Sequence, residues 1–265
     1  MGEDGSGARS EVGIRRALIA PEDDNETKDE APGSPRRLVH SDWLHSYGRR
    51  RGRRLKPNQT VLIEKHLDAL SVTTPLDLAA AFGRVPERLR LEVGFGGGEH
   101  LAHQAANNPD VSFLGAEPFM NGVATMLRHF EQKGLRNVRL YRGDARELFS
   151  GIPDGALEAI YVLHPDPWPK ARHNKRRLIQ KPFLDQAWRM LKPGGELRLA
   201  TDDPDYLIWM LQRVLIHPGF EWTARTADDW RLIPADAIET RYGIKSRLEG
   251  RPATFLKLRR RETAA

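Results

Sequence analysis

Apolar positions along the chain follow two alternating periods from residue 59 onward. Alternation of apolar and polar residues, or a short apolar run, predicts a β-strand, and apolar residues three and four positions apart predict a helix. The predicted strands cover 89–93, 112–116, 138–141, 157–163, 196–200 and 254–258, and the predicted helices cover 59–70, 100–107, 121–132, 183–191 and 204–215. This order predicts an α/β fold, in which a doubly wound parallel sheet carries helices on both faces.

The first 35 residues lack this periodicity and are rich in Gly, Ser, Pro and acidic residues. They hold four Lys or Arg against nine Asp or Glu, a net charge of −5. Since the 265-residue chain carries +6, the remainder carries +11, an excess that favours a polyanionic partner. We therefore expect 1–35 to be a disordered acidic tail and 58–265 to form a single folded domain.

Residues 36–57 connect the predicted tail to the predicted domain and are strongly basic. Up to Lys56 this segment holds eight Lys or Arg and one acid, Asp42, interleaved with Trp43 and Tyr47. Basic side chains neutralise phosphates, and aromatic rings stack on bases. We therefore expect an RNA-binding arm, although a solvated basic linker has the same composition.

The composition excludes several classes of site. The chain has no cysteine, which excludes disulfides and cysteine-ligated zinc, and its nine histidines include no His-Glu-x-x-His pattern. No apolar run approaches the ~18 residues that a membrane span needs, and no basic and then apolar leader precedes the core. We therefore expect a cytoplasmic protein with no bound metal and no membrane partner.

The first predicted strand ends in a glycine-rich turn over 94–98. Glycine lets the backbone approach a ligand closely. The second strand ends at Glu117, 23 residues after Gly94, where a carboxylate can accept both hydroxyls of a ribose. Asp144 follows the third strand, where the amino group of an adenine would lie. These strand ends together predict a site for a nucleoside cofactor.

The glycine turn also separates two classes of cofactor. Glu99 stands where the dinucleotide pattern Gly-x-Gly-x-x-Gly has its third glycine, and Glu92 precedes the turn. Carboxylates disfavour a pyrophosphate but suit the ammonium group or adenosine hydroxyls of S-adenosylmethionine. We therefore predict that cofactor on a Rossmann-like class I methyltransferase sheet, and a hydride-transfer enzyme is disfavoured.

A second motif, 164–170, follows the fourth predicted strand and reads His-Pro-Asp-Pro-Trp-Pro-Lys. Ligands of such sheets bind beyond the carboxyl ends of the strands, and three prolines hold Asp166 there with little freedom. Six Lys or Arg with no acid follow within twelve residues, and they are Lys170, Arg172, Lys175, Arg176, Arg177 and Lys181. We interpret this basic run as a phosphate-binding surface.

Several stretches together resemble the bacterial tRNA (guanine-N7-)-methyltransferases. They are 91–96, 115–117, 143–145, 165–170, 172–177, 200–202 and 240–242. The Pro-Asp-Pro-Trp segment with its basic continuation is the most specific of them. The resemblance extends over about 49–260.

The resemblance implies methyl transfer from S-adenosylmethionine to N7 of a guanine in the variable loop of tRNA, guanine 46 by the tRNA convention. It implies a catalytic role for Asp166. The cofactor-binding residues it implies are Glu92, Gly94, Glu117, Asp144 and Asp166. The RNA-binding residues it implies are Lys170, Asp202, Thr240, Arg241 and Tyr242, followed by Gly243 where the family usually has Glu. We expect a monomer or homodimer that binds tRNA and not DNA.

Two alternatives stay open. The same cofactor site would serve a methyltransferase that acts on another RNA or on protein. The fold would also serve an RNA-binding protein that performs no chemistry. The presence of Glu117, Asp144 and Asp166 together favours an enzyme over this second alternative.

Overall fold

The structure, a computed structural model, describes residue 52 and residues 54–262 of the chain. The predicted tail and residues 36–51 and 53 of the predicted arm lie outside this part, so both stay predictions. Within the described ranges, no helix is both long enough and apolar enough to cross a membrane.

A seven-stranded sheet in the order β3-β2-β1-β4-β5-β7-β6 forms the centre of the described part. The strands are β1 (Leu89–Val93), β2 (Ser112–Ala116), β3 (Val138–Tyr141), β4 (Leu157–Leu163), β5 (Leu191–Thr201), β6 (Phe220–Trp222) and β7 (Thr254–Arg260). The predicted α/β sheet is confirmed, and β1 to β5 pair in parallel.

The sheet is mixed at one edge, which the predicted parallel order did not include, because β7 runs antiparallel to β5 and β6. No crossover helix returns the chain to the amino ends of the strands after β6. Residues 223–253 instead stay at the carboxyl end, and β7 enters the sheet there, where Thr254 pairs with Thr201.

Helices cover both faces of the sheet. They are α1 (Pro57–Leu70), α2 (Leu78–Phe82), α3 (Glu99–Asn107), α4 (Met120–Lys133), α5 (Lys181–Met190), α6 (Pro204–Ile216), α7 (Asp228–Arg231) and α8 (Arg241–Leu248), with 3₁₀ helices at Ala145–Gly151 and Ala171–Arg176. Asp203 caps α6, since its carboxylate accepts a hydrogen bond from the Tyr206 N–H at 2.8 Å.

The core has one layer on each face of the sheet. In β2, Phe113 packs in the cluster that contains residues of α3 and α4, and the next residue, Leu114, packs in the cluster that contains residues of α5 and α6. Both side chains are fully buried. Burial on both faces explains the short apolar runs of the parallel strands.

The boundary between α5 and β5 differs from the prediction. The pattern predicts a helix over 183–191 and a strand over 196–200, with Lys192-Pro193-Gly194-Gly195 between them, but β5 already begins at Leu191, which pairs with Leu157. The pairing register then shifts, so that Ala159 lies opposite Glu196. The four residues form an irregular bulge inside the strand, which is where glycine and proline are tolerated in a sheet.

Candidate active site

A cleft of about 750 Å³ lies at the carboxyl ends of β1 to β4. It is lined by residues that follow each of these strands. Five of the predicted site residues line it, namely Gly94, Glu117, Asp144, Asp166 and Tyr242. The parallel sheet therefore brings together, at the ends of its strands, residues that are far apart in the sequence.

The glycine turn forms one wall of the cleft. Gly96 has a φ of 53°, a left-handed conformation that favours glycine. Gly122, in the first turn of α4, packs so closely against it that an added Cβ would lie 2.3 Å from the Gly96 carbonyl oxygen. This contact fixes the turn against α4 and leaves its backbone facing the cleft.

Glu117 is held by the backbone on both sides. Its Oε2 accepts a hydrogen bond from the Gly96 N–H at 2.8 Å, and its Oε1 accepts one from the Phe119 N–H at 2.9 Å. The residue is 8% exposed, and this burial raises the pKa of the carboxyl, while the two N–H groups oppose the rise. The charges of Asp166 and Glu92 raise the pKa further. Each oxygen retains a lone pair for a ligand hydroxyl.

Asp144 begins the first 3₁₀ helix, where its Oδ1 accepts a hydrogen bond from the Arg146 N–H at 3.0 Å. The Arg146 guanidinium also binds this carboxylate, with Nε 2.9 Å from Oδ1 and Nη2 2.7 Å from Oδ2. Both residues line the cleft. Arg146 is not predictable as a site residue, because an arginine two residues after an acid has no distinctive spacing.

Glu92 lies beside the cleft but is not among the residues that line it. It is 3% exposed, and its Oε2 lies 2.8 Å from Nδ1 of His100, which is equally buried. The His100 ring packs edge-on against Tyr161, with ring centroids 4.8 Å apart. A contact between Glu92 and the cofactor therefore stays a prediction.

The loop after β4 carries Asp166 into the cleft, where its side chain is exposed. Two non-glycine residues of this loop have left-handed backbone conformations, His164 with a φ of 53° and Trp168 with a φ of 47°. Such conformations cost about 1–3 kcal/mol each and persist only where surrounding contacts hold them. The loop is therefore held in shape by its neighbours.

Arg177 is one of these neighbours, and its position corrects the interpretation of the basic run. The residue is 2% exposed, and its Nε donates a hydrogen bond to the Pro167 carbonyl oxygen at 2.7 Å. Its Nη2 pairs with Asp205, and its guanidinium lies about 5 Å from the rings of Tyr206 and Trp209. Arg177 cannot contact phosphate, whereas Lys170, Arg172, Lys175 and Lys181 are exposed.

Asp202 is a buried hub rather than a surface residue, with 8% of its area exposed. Its carboxylate accepts hydrogen bonds from the Ser246 hydroxyl, Arg251 Nη1 and, at 3.2 Å, the Tyr242 hydroxyl. Burial raises the pKa of Asp202, but these donors outweigh it and hold the pKa below its usual value. A contact between Asp202 and RNA stays a prediction.

The remaining predicted RNA-binding residues surround the first turn of α8. The Thr240 hydroxyl caps the helix by accepting a hydrogen bond from the Gly243 N–H at 3.1 Å. Arg241 is exposed and donates from Nε to Oε1 of Glu99 at 2.6 Å. Tyr242 packs against His164, with ring centroids 4.9 Å apart. Gly243 is buried.

His164 was not among the predicted site residues. Its ring lines the cleft between Leu163 and Pro165, and its Nδ1 lies 3.5 Å from Oδ1 of Asp202. Burial lowers the pKa of this histidine, although Asp202 opposes the shift. The three prolines that follow it in the sequence predict a rigid loop, but they do not predict a role for this histidine.

Comparisons with known proteins identify the relatives of this chain. Residues 86–256 match the family model described as "Putative methyltransferase". The tRNA (guanine-N(7)-)-methyltransferase of Rhodospirillum rubrum is 45% identical over 83% of this chain and 89% of its own length, and that of Caulobacter vibrioides is 47% identical over 76% and 89%. The solved structure of the 16S rRNA methyltransferase KamB shares the fold, with a TM-score of 0.50 and 17% identity over 69% of this chain and 93% of that one.

The likeness to KamB shows the fold alone, whereas identities near 45% over most of both chains show common ancestry. The part of the chain that matches contains the glycine turn, Glu117, Asp144 and the loop that carries Asp166. On this evidence the chain belongs to the tRNA (guanine-N(7)-)-methyltransferase family.

Proposed function

We propose that the protein transfers the methyl group of S-adenosylmethionine to N7 of a guanine in tRNA, and that this guanine is position 46 of the variable loop in the tRNA convention. The observation that carries the proposal is that Glu117 and Asp166 line one cleft at the carboxyl ends of the strands. A cofactor held by the first residue and a base presented to the second then meet in the same place.

The residues of the cleft fit the cofactor. The turn around Gly96 presents bare backbone, and an added Cβ at this glycine would meet nothing within 4 Å. We assign the ribose hydroxyls to Glu117, whose oxygens each retain a lone pair, and the adenine amino group to Asp144. Family membership supports S-adenosylmethionine as the methyl donor. The described residues contain no group of three or more histidine, aspartate or glutamate side chains arranged to hold a metal ion.

The reaction needs positioning and charge stabilisation from the protein. S-adenosylmethionine supplies a methyl group on a positively charged sulfur. Guanine N7 has a lone pair and no proton, so its bond to carbon forms as the bond between carbon and sulfur breaks, and no general base is required. The positive charge passes to the purine. The negative charge of Asp166 stabilises this positive charge from a loop that its neighbours hold rigid.

Exposed cations around the cleft support a nucleic acid as the acceptor. Lys170, Arg172 and Lys175 lie on the second 3₁₀ helix and at its start, next to the loop that carries Asp166, and Arg241 lies at the start of α8. Each can neutralise a phosphate. We assign Lys170 and the turn 240–243 to the RNA, as the family resemblance implies.

A comparison of acceptors tests the proposal. The protein is incubated with methyl-labelled S-adenosylmethionine and, separately, with bulk tRNA, ribosomal RNA and a protein extract that has been treated with ribonuclease. We expect label in the tRNA alone. Label in ribosomal RNA or in protein, with none in tRNA, would contradict the proposal in favour of one of the alternatives that the sequence left open.

A further inference from the structure

A second cavity, of about 680 Å³, adjoins the cofactor cleft. Leu163 and His164 line both spaces. The first turn of α8 also divides them, since Thr240 and Gly243 line the cavity while Tyr242 lines the cleft. The volume is typical of pockets that take small organic ligands.

The walls of this cavity are mostly apolar. They come from the sheet face formed by β4, β5 and β7 and from residues 231–238, and they include Leu199, Ile233 and Phe255. Flat, partly apolar rings pack well against such walls. Two polar residues of the lining pair with residues that do not line the cavity. His100 contacts Glu92, and Arg198 pairs with Glu196 and Asp236.

Glu239 and Arg247 are different. They form an ion pair with each other, and among residues 54–262 this is the only ion pair whose two members both line the cavity. Arg247 Nε donates to Glu239 Oε1 at 2.7 Å, and Nη2 donates to Oε2 at 3.0 Å. The two side chains are 25% and 55% exposed, so a ligand can reach them. The side chain of Glu239 also lies against the first turn of α8, since an added Cβ on Gly243 would be 3.3 Å from its Cγ.

The paired side chains keep hydrogen-bonding capacity that fits guanine. Each Glu239 oxygen has a second lone pair, and the guanidinium of Arg247 has further N–H donors. The Watson-Crick edge of guanine offers two neighbouring donors, N1–H and the N2 amino group, beside one acceptor, O6. Adenine instead presents an acceptor at N1. The lone pair of this nitrogen would face the carboxylate oxygens, which are also acceptors, so no hydrogen bond could form. An acidic and a basic group side by side therefore discriminate between the two purines.

We propose that the target guanine inserts its Watson-Crick edge into this second cavity and that Glu239 and Arg247 read that edge. N7 lies on the opposite side of the purine and meets the cofactor cleft at Leu163 and His164, which border both spaces. The inference rests on the proposed function, and it makes Glu239 the residue that selects guanine.

The test compares guanine with inosine, which lacks the N2 amino group, at the methylated position of an assembled tRNA. We expect the wild-type protein to lose about 10- to 100-fold in kcat/KM on the inosine substrate, since one of the two hydrogen bonds to the carboxylate is lost. Glu239→Ala should lower kcat/KM on guanine and bring the ratio of guanine to inosine close to one. Glu239→Gln, which keeps an acceptor oxygen, should recover part of the ratio.

Glu131→Ala is the matched control, because Glu131 is also ion-paired, with Lys65, but lines neither space. It should keep the wild-type ratio, and all variants should bind S-adenosylmethionine as the wild type does. If Glu239→Ala keeps the wild-type ratio, or if the wild type does not distinguish inosine from guanine, the inference is overturned while the proposed function stands. If the wild type methylates no guanine in tRNA, both are overturned.

Discussion

Asp166 is the residue on which the chemistry depends. Asp166→Asn keeps the shape of the side chain and removes its charge, so the stabilisation of the purine cation is lost. We expect the single-turnover rate to fall about 10²- to 10³-fold, the size typical of removing one electrostatic group from an active site. The dissociation constant for tRNA should change little. A single-turnover rate equal to that of the wild type, with chemistry limiting, would reduce Asp166 to a packing residue.

Glu117 makes cofactor binding depend on pH. Its pKa is raised in the free protein, chiefly by burial, and the ionised form is the one that accepts hydrogen bonds from ribose hydroxyls. Binding therefore prefers the ionised form. Affinity for S-adenosylmethionine should be constant at high pH and fall about tenfold per pH unit below the pKa of Glu117.

Calorimetric titrations at several pH values check this. The fall should begin above the ordinary glutamate value of about 4.3. In Glu117→Gln the affinity should be lower than that of the wild type at high pH, and this pH dependence should disappear. An inflection that persists in Glu117→Gln would assign the titration to another group.

At this scale, the sequence predicted which residue types meet in the cleft better than it predicted what each contacts. Glu117, Asp144 and Asp166 lie where strand ends place them. Glu92 contacts His100. Arg177, which the basic run predicts to bind phosphate, is instead buried and binds the loop after β4 through the Pro167 carbonyl. A run of like charges does not reveal which member turns inward, because this depends on a partner such as the Pro167 carbonyl, formed only by the fold.

Among the elements, the loop after β4 depends most on a single side chain. Arg177→Lys removes the guanidinium that binds the Pro167 carbonyl and packs on two aromatic rings. We expect the free energy of unfolding to fall by about 1–3 kcal/mol, and the single-turnover rate to fall with it, because Asp166 loses its fixed position. Arg172→Lys, at an exposed position of the same basic run, is the matched surface control and should change neither quantity.

The glycine turn depends on its contact with α4. Alanine is a better helix former than glycine by about 1 kcal/mol, so Gly122→Ala would stabilise an isolated helix. In this protein the added Cβ would lie 2.3 Å from the Gly96 carbonyl oxygen, which is backbone and cannot rotate away. We expect Gly122→Ala to lower both the melting temperature and the affinity for S-adenosylmethionine. A melting temperature above that of the wild type would contradict the contact.

The strands and helices themselves were largely predictable. The bounds of β1 to β4 agree with the predicted strands because each is a short apolar run between glycine, proline or polar turns. The irregular start of β5 and the antiparallel β7 were not predictable, because both depend on pairing with distant strands. The short strand β6 and the segment 228–239 carry no periodicity in the sequence. The second cavity could not be predicted, because residues of this segment form part of its wall.

On the scale of the whole molecule, the predicted basic arm is an untested part of the RNA surface. Deletion through Lys56 should weaken tRNA binding and flatten its dependence on salt, since each lost phosphate contact removes about 0.9 from the slope of log K against log salt on B-DNA. Affinity for S-adenosylmethionine should not change. A truncated protein with the full-length salt slope would show that the arm does not contact RNA.

The predicted acidic tail should weaken tRNA binding, whereas the basic arm should strengthen it. Residues 1–35 carry a net charge of −5, so they can compete with RNA for the basic arm. Removing these residues alone should raise tRNA affinity at low salt and have little effect at high salt, where the charges are screened. The measurement is a binding titration of both proteins at two salt concentrations. Equal affinities at low salt would rule out this competition.

The central claim is that the cleft transfers a methyl group to guanine N7 in tRNA, and locating the transferred methyl tests it most directly. Bulk tRNA is labelled with methyl-labelled S-adenosylmethionine, and the RNA is then cleaved chemically at 7-methylguanosine and sequenced at the cut. The account predicts cleavage at one guanine of the variable loop, position 46, with none when Asp166→Asn replaces the wild type for a single short incubation. Label on another base or another ring atom, or labelled tRNA that resists this cleavage, would contradict it.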